Sequence, residues 1–253
     1  MKVIYFTNAG SRKKNEDSLL VQEELFTSVS FEKFQVKEIK NKNDLIFAVA
    51  DGIGGRPAGE IASSITLQTI KRYNHYIFEE KYQQLLEKIF INLINYQKKE
   101  PELEGMGTTI SLLAIRNNTG YIFHVGDSRI YTWKDSSFEL LTRDHSHVQE
   151  LVEKGFLKHE DINQHPMRNY LKSAITTNID IHKLEFQSNK INTENKNFFL
   201  CSDGIWELIP DKKLKQILTK EQELEKKAEK IIHKSFELNP SDNFSFIMIS
   251  NES

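Results

Sequence analysis

The chain has 253 residues, a formal net charge of −2 and 28% charged residues dispersed along it, which argues against nucleic-acid binding and against an anionic membrane surface. Its single cysteine, Cys201, excludes an internal disulfide and a cysteine-based zinc site, and is expected to be a buried small apolar residue. No apolar run approaches the ~20 residues of a membrane helix and the N-terminal residues lack a signal-peptide core, so we expect a cytoplasmic protein.

The first half of the chain combines predicted strands with a pair of predicted helices. Residues 3–6 and 18–22 are predicted strands on either side of a polar turn. Residues 23–44 alternate in part and predict an extra hairpin, and the apolar run at 45–50 is typical of a strand buried on both faces. A helix is predicted to start at Pro57, and apolar residues recurring at helical spacing predict a second helix over 82–96.

At the start of the second half, the spacing of the apolar residues changes from the helical pattern to every second residue. Residues 108–115 and 121–133 predict antiparallel strands joined by a polar turn. Residues 144–178 are polar and irregular, with a helical stretch predicted at 148–153. The remaining predicted elements are strands at 184–186, 198–201 and 244–249, a short helix at 214–218, and a helix restarted by a capping box at 219–222.

Four aspartates stand where predicted strands begin or end. Asp51 follows the apolar run LIFAVA and Asp203 follows FFLCS, and each precedes a glycine that allows a sharp turn. Asp127 lies in HVGDSRIY and Asp242 in PSDNFSFIMI. One Asp-Gly pair alone would indicate only a common turn. Four carboxylates at strand ends predict a site for a hard divalent ion with oxygen ligands.

The chain resembles the PPM-type phosphatases, also called the protein phosphatase 2C family, and its bacterial members in particular. The resemblance rests on seven blocks in the family's order: RKKNEDSLL, VADGIGGRPAGEIAS, GMGTTI, HVGDSRIYTW, LTRDHS, LCSDGIWELI and SDNFSFIMI. It implies an α+β fold, a four-layer α-β-β-α sandwich of two antiparallel sheets flanked by helix pairs. The grouping of strands in blocks favours the same class over a doubly wound parallel fold. We expect one domain over residues 1–253, a flap-like segment at about 144–178, and a monomer.

The resemblance implies a centre of two Mg²⁺ or Mn²⁺ ions. In it, Asp51 bridges the two ions and the Gly52 carbonyl completes one coordination shell. Asp203 and Asp242 ligate one of the ions. Asp127 resembles the aspartate that, together with Asp203, holds a third ion in bacterial members.

Four further residues belong to the implied site. Glu16 and Asp17 lie beside the second ion, directly or through water, and Asn243 is a further candidate next to Asp242. Arg12, five residues before Asp17, matches the family's phosphate-binding arginine. A planar guanidinium binds two phosphate oxygens at once, which lysine cannot do.

The sequence departs from the family's pattern at two places. Ile53 stands where many eukaryotic relatives have a histidine proposed as general acid. The leaving group's proton would then come from a metal-bound water, or from His145 or His165, each of which also fits a structural role. The flap-like segment carries three substitutions that place substrate selection in doubt: Lys172 and Ser173 for the family's Thr-Arg, and Thr176 for a glycine.

The implied function is metal-dependent hydrolysis of phosphoserine and phosphothreonine in proteins by a metal-activated water, without a phosphoenzyme. The partners would be phosphorylated proteins and, in opposition, a serine/threonine kinase. One alternative is a catalytically silent binding module, which would be expected to have lost metal carboxylates. Another is a hydrolase of small phosphoesters on the same fold.

Overall fold

Blocks of strands alternate with helix pairs in the residues that the computed structural model describes, 1–40, 43–53, 58–168 and 170–251. The strands are β1 (Lys2–Asn8), β2 (Ser18–Val21), β3 (Glu24–Thr27), β4 (Gln35–Glu38), β5 (Leu45–Ala50), β6 (Gly107–Thr108), β7 (Ile110–Arg116), β8 (Thr119–Val125), β9 (Arg129–Lys134), β10 (Ser137–Leu140), β11 (Ile175–Thr176), β12 (Gln187–Asn192), β13 (Asn197–Cys201) and β14 (Phe244–Ser250). The α-helices are α1 (Gly59–Arg72), α2 (His75–Phe78), α3 (Tyr82–Gln97), α4 (His147–Glu153), α5 (Asp203–Trp206), α6 (Asp211–Lys220) and α7 (Leu224–Glu237). Pro57, where the first helix was predicted to start, lies outside the described residues, as do Gly54, Gly55 and Asn169.

Two six-stranded antiparallel sheets form the centre of the molecule. The first has the strand order β10-β9-β13-β14-β1-β4, and the second has the order β12-β8-β7-β5-β2-β3. The short strands β6 and β11 pair with each other beside the second sheet. The arrangement confirms the predicted sandwich of antiparallel sheets.

Three apolar layers hold the sandwich together. The middle layer lies between the two sheets and includes Val3, Val49, Leu113, Phe198 and Ile247. A second layer packs α1, α2 and α3 against the outer face of the second sheet. The third packs α6 and α7 against the outer face of the first sheet. Successive residues of a strand therefore point in turn to the middle layer and to a layer covered by helices. This gives the four-layer α-β-β-α order.

The helices follow the apolar spacing of the sequence. In α3 the buried side chains recur three and four residues apart, as in the predicted stripe, and face the second sheet. In α6 the buried residues are Leu214, Ile217 and Leu218. None of the described helices combines the length and the apolar character needed to cross a membrane.

The extra hairpin predicted over residues 23–44 is wrong. Two strands do form there, but they belong to different sheets: β3 pairs with β2 and β4 pairs with β1. The chain between them crosses from one sheet to the other, and the Phe31 amide hydrogen-bonds to the Thr7 carbonyl on the way. Partial alternation indicates strands but carries no information about which neighbour each strand pairs with.

Two other predicted elements need correction. The strand predicted at 184–186 instead occupies Gln187–Asn192, an edge strand whose outward positions are polar. The capping box predicted at 219–222 does not form, because Thr219 lies inside α6 and its hydroxyl donates to the Lys215 carbonyl. The buried Lys227 amine of α7 instead donates to the Leu218 and Glu221 carbonyls at the end of α6.

Candidate metal centre

The predicted carboxylates lie at one end of the sandwich because their strands run antiparallel. In the second sheet, Ser18 at the start of β2 pairs with Ala50 at the end of β5, so Asp17 and Asp51 are brought side by side. In the first sheet, Cys201 at the end of β13 pairs with Arg129 near the start of β9 and with Phe246 in β14. Asp203, Asp127 and Asp242 therefore lie together at one end of the first sheet, and hydrogen bonds from Ser202 and Ser245 to Asp17 place that end beside Asp17 and Asp51.

Asp17 is the most deeply enclosed member of the group. Its side chain is buried, and one carboxylate oxygen, Oδ2, accepts hydrogen bonds from the Ser202 and Ser245 hydroxyls at 2.8 and 2.5 Å. Its other oxygen, Oδ1, is buried and has no hydrogen-bond partner within the described part of the chain. A buried unpartnered carboxylate oxygen is costly unless a cation satisfies it.

The electrostatics of the cluster point the same way. Burial, with the neighbouring carboxylates Asp203, Asp17 and Asp127, raises the pKa of Asp51 well above its ordinary range. Burial raises the pKa of Asp203 likewise, and the negative charge of Asp127 is the next largest cause. The pKa of Asp17 and that of Asp127 each rise to about 7, chiefly by burial. The raised pKa values mean that these crowded carboxylates have too little positive charge near them. Divalent ions would supply that charge.

The donor set fits hard divalent ions, although the side chains are not closed around one point. Across the described residues, no three His, Cys, Asp or Glu side chains stand close enough together to hold an ion as they are. An ion would have to draw the carboxylates together. The unpartnered Asp17 oxygen, the all-oxygen chemistry and the raised carboxyl pKa values are what such an ion needs.

A close backbone contact fixes the segment after Asp51. The Gly52 amide donates to the Glu16 carbonyl at 3.2 Å, and Gly52 forms a β-bridge with Thr108. A Cβ atom on Gly52 would lie 2.4 Å from the backbone of Gly59, at the start of α1. Only glycine therefore allows the Gly52 carbonyl to sit between β5 and α1.

The GTT and GDSR blocks connect Asp51 to Asp127. The Thr108 hydroxyl and the Thr109 amide both donate to the Asp51 carbonyl at 2.8 Å. The Asp51 amide donates to the Thr109 hydroxyl, which lies 2.9 Å from the Ser128 hydroxyl next to Asp127. These polar blocks therefore position the backbone of the predicted ligands.

The structure places Asn243 as a connector between segments. Its amide oxygen accepts from the Glu16 amide at 2.8 Å, and its amide nitrogen donates to the Ala9 and Lys14 carbonyls at 3.0 and 2.9 Å. Its own backbone amide donates to Asp242 Oδ1. Asn243 thus joins the 9–16 loop to the start of β14, and burial, followed by the nearby charge of Glu60, raises the pKa of the adjoining Glu16 carboxyl.

Arg12 lies at the open side of the cluster. Its Nη2 atom is 2.7 Å from Asp242 Oδ2, and its Nε atom donates to the Ser241 carbonyl at 3.2 Å. The Arg12 side chain is 47% exposed, so one edge of the guanidinium stays accessible. An accessible guanidinium beside a predicted metal ligand is placed to receive an anion.

The histidine candidates are held in structural contacts. His145 is buried, its Nδ1 atom accepts from the Gly126 amide at 3.1 Å, and burial lowers its pKa. His165 Nδ1 accepts from the Met167 amide within its own turn. His124 is also buried, and its Nδ1 atom lies 2.8 Å from the Ser111 hydroxyl. These placements favour the structural alternative for the histidines.

The altered flap positions border a cleft of about 620 Å³. Ile53 lines it together with the 170–174 stretch and residues 176, 179, 180 and 183–185. Lys172 forms an ion pair with Glu150, and the Ser173 hydroxyl donates to the Glu185 carbonyl at 2.7 Å. The substituted residues therefore shape the wall of a cleft that reaches Ile53, two residues after Asp51, while none of the predicted metal carboxylates lines it.

The sequence reasoning did not single out several residues that support the cluster. Ser202 and Ser245 bind Asp17, and both are small hydroxyl residues inside the SDG and SDNFS blocks. Their position one or three residues from a predicted ligand was the available signal. Arg129, Asp144 and Trp206 form a buried group beside Asp127 that pattern alone would not connect, because they are far apart in the chain.

Comparisons with known proteins agree with this fold. The protein phosphatase 2C family model matches residues 33–236. Serine/threonine phosphatase stp of Listeria monocytogenes serotype 4b is 30% identical over 222 residues, which are 83% of this chain and 86% of the relative. The crystal structure of Stp1 from Staphylococcus aureus superposes with a TM-score of 0.81 at 27% identity, covering 99% of this chain and 95% of that one.

One further solved structure carries metal ions. The catalytic domain of the serine threonine protein phosphatase PstP, in complex with two manganese ions, shares the fold with a TM-score of 0.76 at 23% identity, covering 99% of each chain. The matched family model spans most of the chain, and the Listeria relative matches more than two thirds of it. The chain belongs to the protein phosphatase 2C family.

Proposed function

We propose that the chain hydrolyses phosphoserine and phosphothreonine in proteins, with divalent cations held by its strand-end carboxylates. One observation carries the proposal: Asp17 presents a buried, unpartnered carboxylate oxygen within a group of acids whose pKa values are raised. The family membership and the names of the relatives support phosphoprotein substrates.

The residues that would hold the ions divide between the two sheets. Asp17, Asp51 and the Gly52 carbonyl come from the second sheet, and Glu16 adjoins them. Asp203 and Asp242 come from the first sheet, as does Asp127, which we assign to a third ion. When bound, Mg²⁺ or Mn²⁺ supplies charge neutralisation and lowers the pKa of coordinated water toward ~7.

Arg12 would bind and orient the phosphate. Its guanidinium now rests on Asp242 and keeps an accessible edge. A phosphate offers a second anionic partner in the fork geometry that guanidinium groups favour. Arg12 thus holds the phosphorus atom beside the carboxylate cluster, which orients the reactants rather than changing their chemistry.

The environment of Ile53 bears on the leaving group. Ile53 lines the cleft and has no proton to give. The buried His145 accepts a hydrogen bond and has a lowered pKa, so it is a poor proton donor. We therefore assign no side chain of this chain as general acid, and the departing alkoxide would be protonated by solvent in the site.

The cleft suits a phosphorylated segment of a protein. Its volume of about 620 Å³ exceeds what a phosphate alone requires, and its wall includes the aromatic Tyr170. We expect the substrates to be phosphoproteins whose phosphorylation is set by an opposing serine/threonine kinase, and the chain to act as a monomer.

The test is phosphate release from a phosphothreonine peptide by the purified protein, with Mn²⁺ and then with excess EDTA. Release should require the metal and should be abolished in Asp51→Asn and in Asp203→Asn, each of which keeps the circular dichroism spectrum. Asp135→Asn is the matched control, because Asp135 lies in the turn after β9, at the other end of that strand from Asp127. The control should retain full activity.

Three results would contradict the proposal. Near-normal turnover by Asp51→Asn with added metal would show that the site is elsewhere. Folded protein that releases no phosphate with any divalent metal would favour the silent binding module. Comparison with a small aryl phosphate completes the test, since faster turnover of that compound than of the peptide would favour a small-phosphoester hydrolase.

A further inference from the structure

A buried arginine lies directly behind Asp127. Arg129 has a side chain 3% exposed and contacts Asp144 through two nitrogens, with Nη2 2.6 Å and Nε 3.0 Å from the carboxylate. Its Nη1 atom donates to the Tyr131 hydroxyl at 3.1 Å and lies 3.4 Å from Asp211. Each of the three guanidinium nitrogens therefore has a carboxylate or hydroxyl partner, which fixes the orientation of the group.

Trp206 joins this cation to two of the predicted metal ligands. Its ring lies under the Arg129 guanidinium at 3.8 Å, and its indole N–H donates to the Asp127 carbonyl at 2.9 Å. Trp206 also ends α5, the single turn that begins with Asp203. The same indole therefore contacts the backbone of one ligand and lies one turn from another.

The start of the flap segment lies on the opposite side of the Arg129 guanidinium. This segment comprises residues 144–178, and the structure describes all of them except 169. Asp144 starts this segment, and His145 exchanges backbone and ring hydrogen bonds with Gly126. The His145 carbonyl in turn accepts from the amides of Lys172 and Ser173. Both ends of the flap segment are thus attached to the turn that carries Asp127.

A second contact ties the middle of the flap segment to α5. The Asn163 amide donates to the Trp206 and Glu207 carbonyls at 3.3 and 3.2 Å. Arg168 lies 3.7 Å from the Glu207 carboxylate. The flap segment therefore contacts the Asp203 turn as well as the Asp127 turn, and Arg129 with Trp206 lies where these contacts meet.

We propose that Arg129 is a positioning residue that holds the flap segment in a fixed place relative to Asp127 and Asp203. It acts through Asp144 on one side and Trp206 on the other, so that one buried cation sets both metal binding and the shape of the substrate cleft. The inference rests on the proposed function for the identity of the substrate, while its metal-binding consequence stands independently. Polar partners behind metal ligands commonly change metal affinity by about 10–100-fold.

The chain contains a matched control for this arrangement. Arg116 also contacts an aspartate through two nitrogens, at 2.5 and 2.9 Å from Asp44, and it also lies 3.8 Å above an aromatic ring, that of Phe78. This second group is partly exposed and lies at the end of β7 opposite to Ile110 and the GTT block. It repeats the chemistry of the first group without the connection to Asp127.

The experiment measures Mn²⁺ binding by titration calorimetry, together with the melting temperature and the kcat and KM for a phosphothreonine peptide. The main variant is Arg129→Met with Asp144→Leu, which removes both charges and so leaves no unpaired buried ion. We expect it to fold, to bind Mn²⁺ about 10-fold more weakly at one site, and to show a raised KM. Arg116→Met with Asp44→Leu should change neither quantity.

A second variant keeps the test decisive if the first does not fold. Trp206→Phe keeps an aromatic ring beneath Arg129 and removes the indole N–H that reaches Asp127 together with part of the buried ring, so both the Mn²⁺ affinity and the melting temperature should fall. Wild-type Mn²⁺ affinity in either folded variant would overturn the proposal, because a merely structural role would lower stability alone. Absence of phosphatase activity in the wild type, with the calorimetric loss intact, would reject the proposed function and leave this inference standing.

Discussion

At the scale of single residues, the environment of Arg12 separates phosphate binding from metal binding. Its guanidinium contacts only one oxygen of Asp242, so phosphate can share the cation without removing a ligand. We expect Arg12→Ala to raise the KM for a phosphothreonine peptide about 10–100-fold, the equivalent of lost charge-assisted hydrogen bonds worth about 1.5–3 kcal/mol. Steady-state kinetics at saturating Mn²⁺ measure this, with calorimetry to show unchanged Mn²⁺ affinity.

The neighbouring Lys13 provides the control for that prediction. It is exposed and lies next to Arg12 in the chain, so Lys13→Ala removes the same charge without the ordered contact to Asp242. Arg12→Lys should restore only part of the affinity, since an ammonium group cannot bind two phosphate oxygens in a plane. An unchanged KM in Arg12→Ala would make Arg12 an ordinary surface residue.

At the scale of elements, the contact between the segment after β5 and the start of α1 depends on two glycines. We expect Gly52→Ala to displace α1, because the new Cβ would lie 2.4 Å from the Gly59 backbone, and overpacking of this kind costs about 1–3 kcal/mol. Mn²⁺ binding should be lost as well, since the Gly52 carbonyl moves with the backbone. Thermal unfolding and calorimetry measure the two effects.

The variant Gly155→Ala is the control that separates a loss of stability from a loss of Mn²⁺ binding. Gly155 has φ of +75°, and a Cβ there meets no atom within 4 Å, so alanine costs backbone strain of about 1–3 kcal/mol without any clash. Both variants should be less stable, but only Gly52→Ala should lose Mn²⁺ affinity. Retained affinity in Gly52→Ala would argue against Gly52 as part of the site.

The elements that the sequence predicts well are those whose apolar pattern has one explanation. The apolar run of β5 and the three-four stripe of α3 are both present as predicted. The fate of β3 and β4 was not predictable, because pairing partners depend on the whole topology and not on local alternation. The polar edge strand β12 and the capping of α6 by Lys227 were missed since their stabilising contacts come from distant segments.

In the site, too, some residues could be recognised from the local sequence and others could not. Asp51 and Asp203 were recognisable because each follows a buried strand, but β5 and β13 belong to different sheets, so only the packing of the two sheets brings these aspartates to one end of the sandwich. The group formed by Arg129, Asp144 and Trp206 had no local signature, because its members are 15 to 77 residues apart along the chain. Interactions of that range become visible only when the fold is known.

At the scale of the whole molecule, stability should depend on pH through the buried His124. Burial, and then the charge of His145, lowers the pKa of His124 from 6.5 to about 3. The unfolded chain takes up a proton below about pH 6.5 while the folded form stays neutral, so folding weakens as the pH falls from about 6.5 toward 3. The slope for one such group is about 1.4 kcal/mol per pH unit.

The variant His124→Gln isolates this contribution. The raised pKa values of Asp17 and Asp127 act in the opposite sense, because folded carboxyls that keep their protons stabilise the protein as the pH falls toward 4. The difference in unfolding free energy between the protein and His124→Gln should therefore shrink steadily from pH 7 to pH 4. Urea unfolding at a series of pH values measures it.

The hydrogen bonds that Ser202 and Ser245 give to Asp17 run from the first sheet to the second. The proposed ligands are divided between the sheets in the same way, so the proposed metal centre lies across the boundary between two sheets that contact each other mainly through apolar side chains. A small shift of one sheet relative to the other would misalign the proposed ligands while each sheet itself stays intact. Mutations deep in the apolar layer between the sheets, remote from every carboxylate, should therefore appear first as a loss of metal rather than a loss of fold.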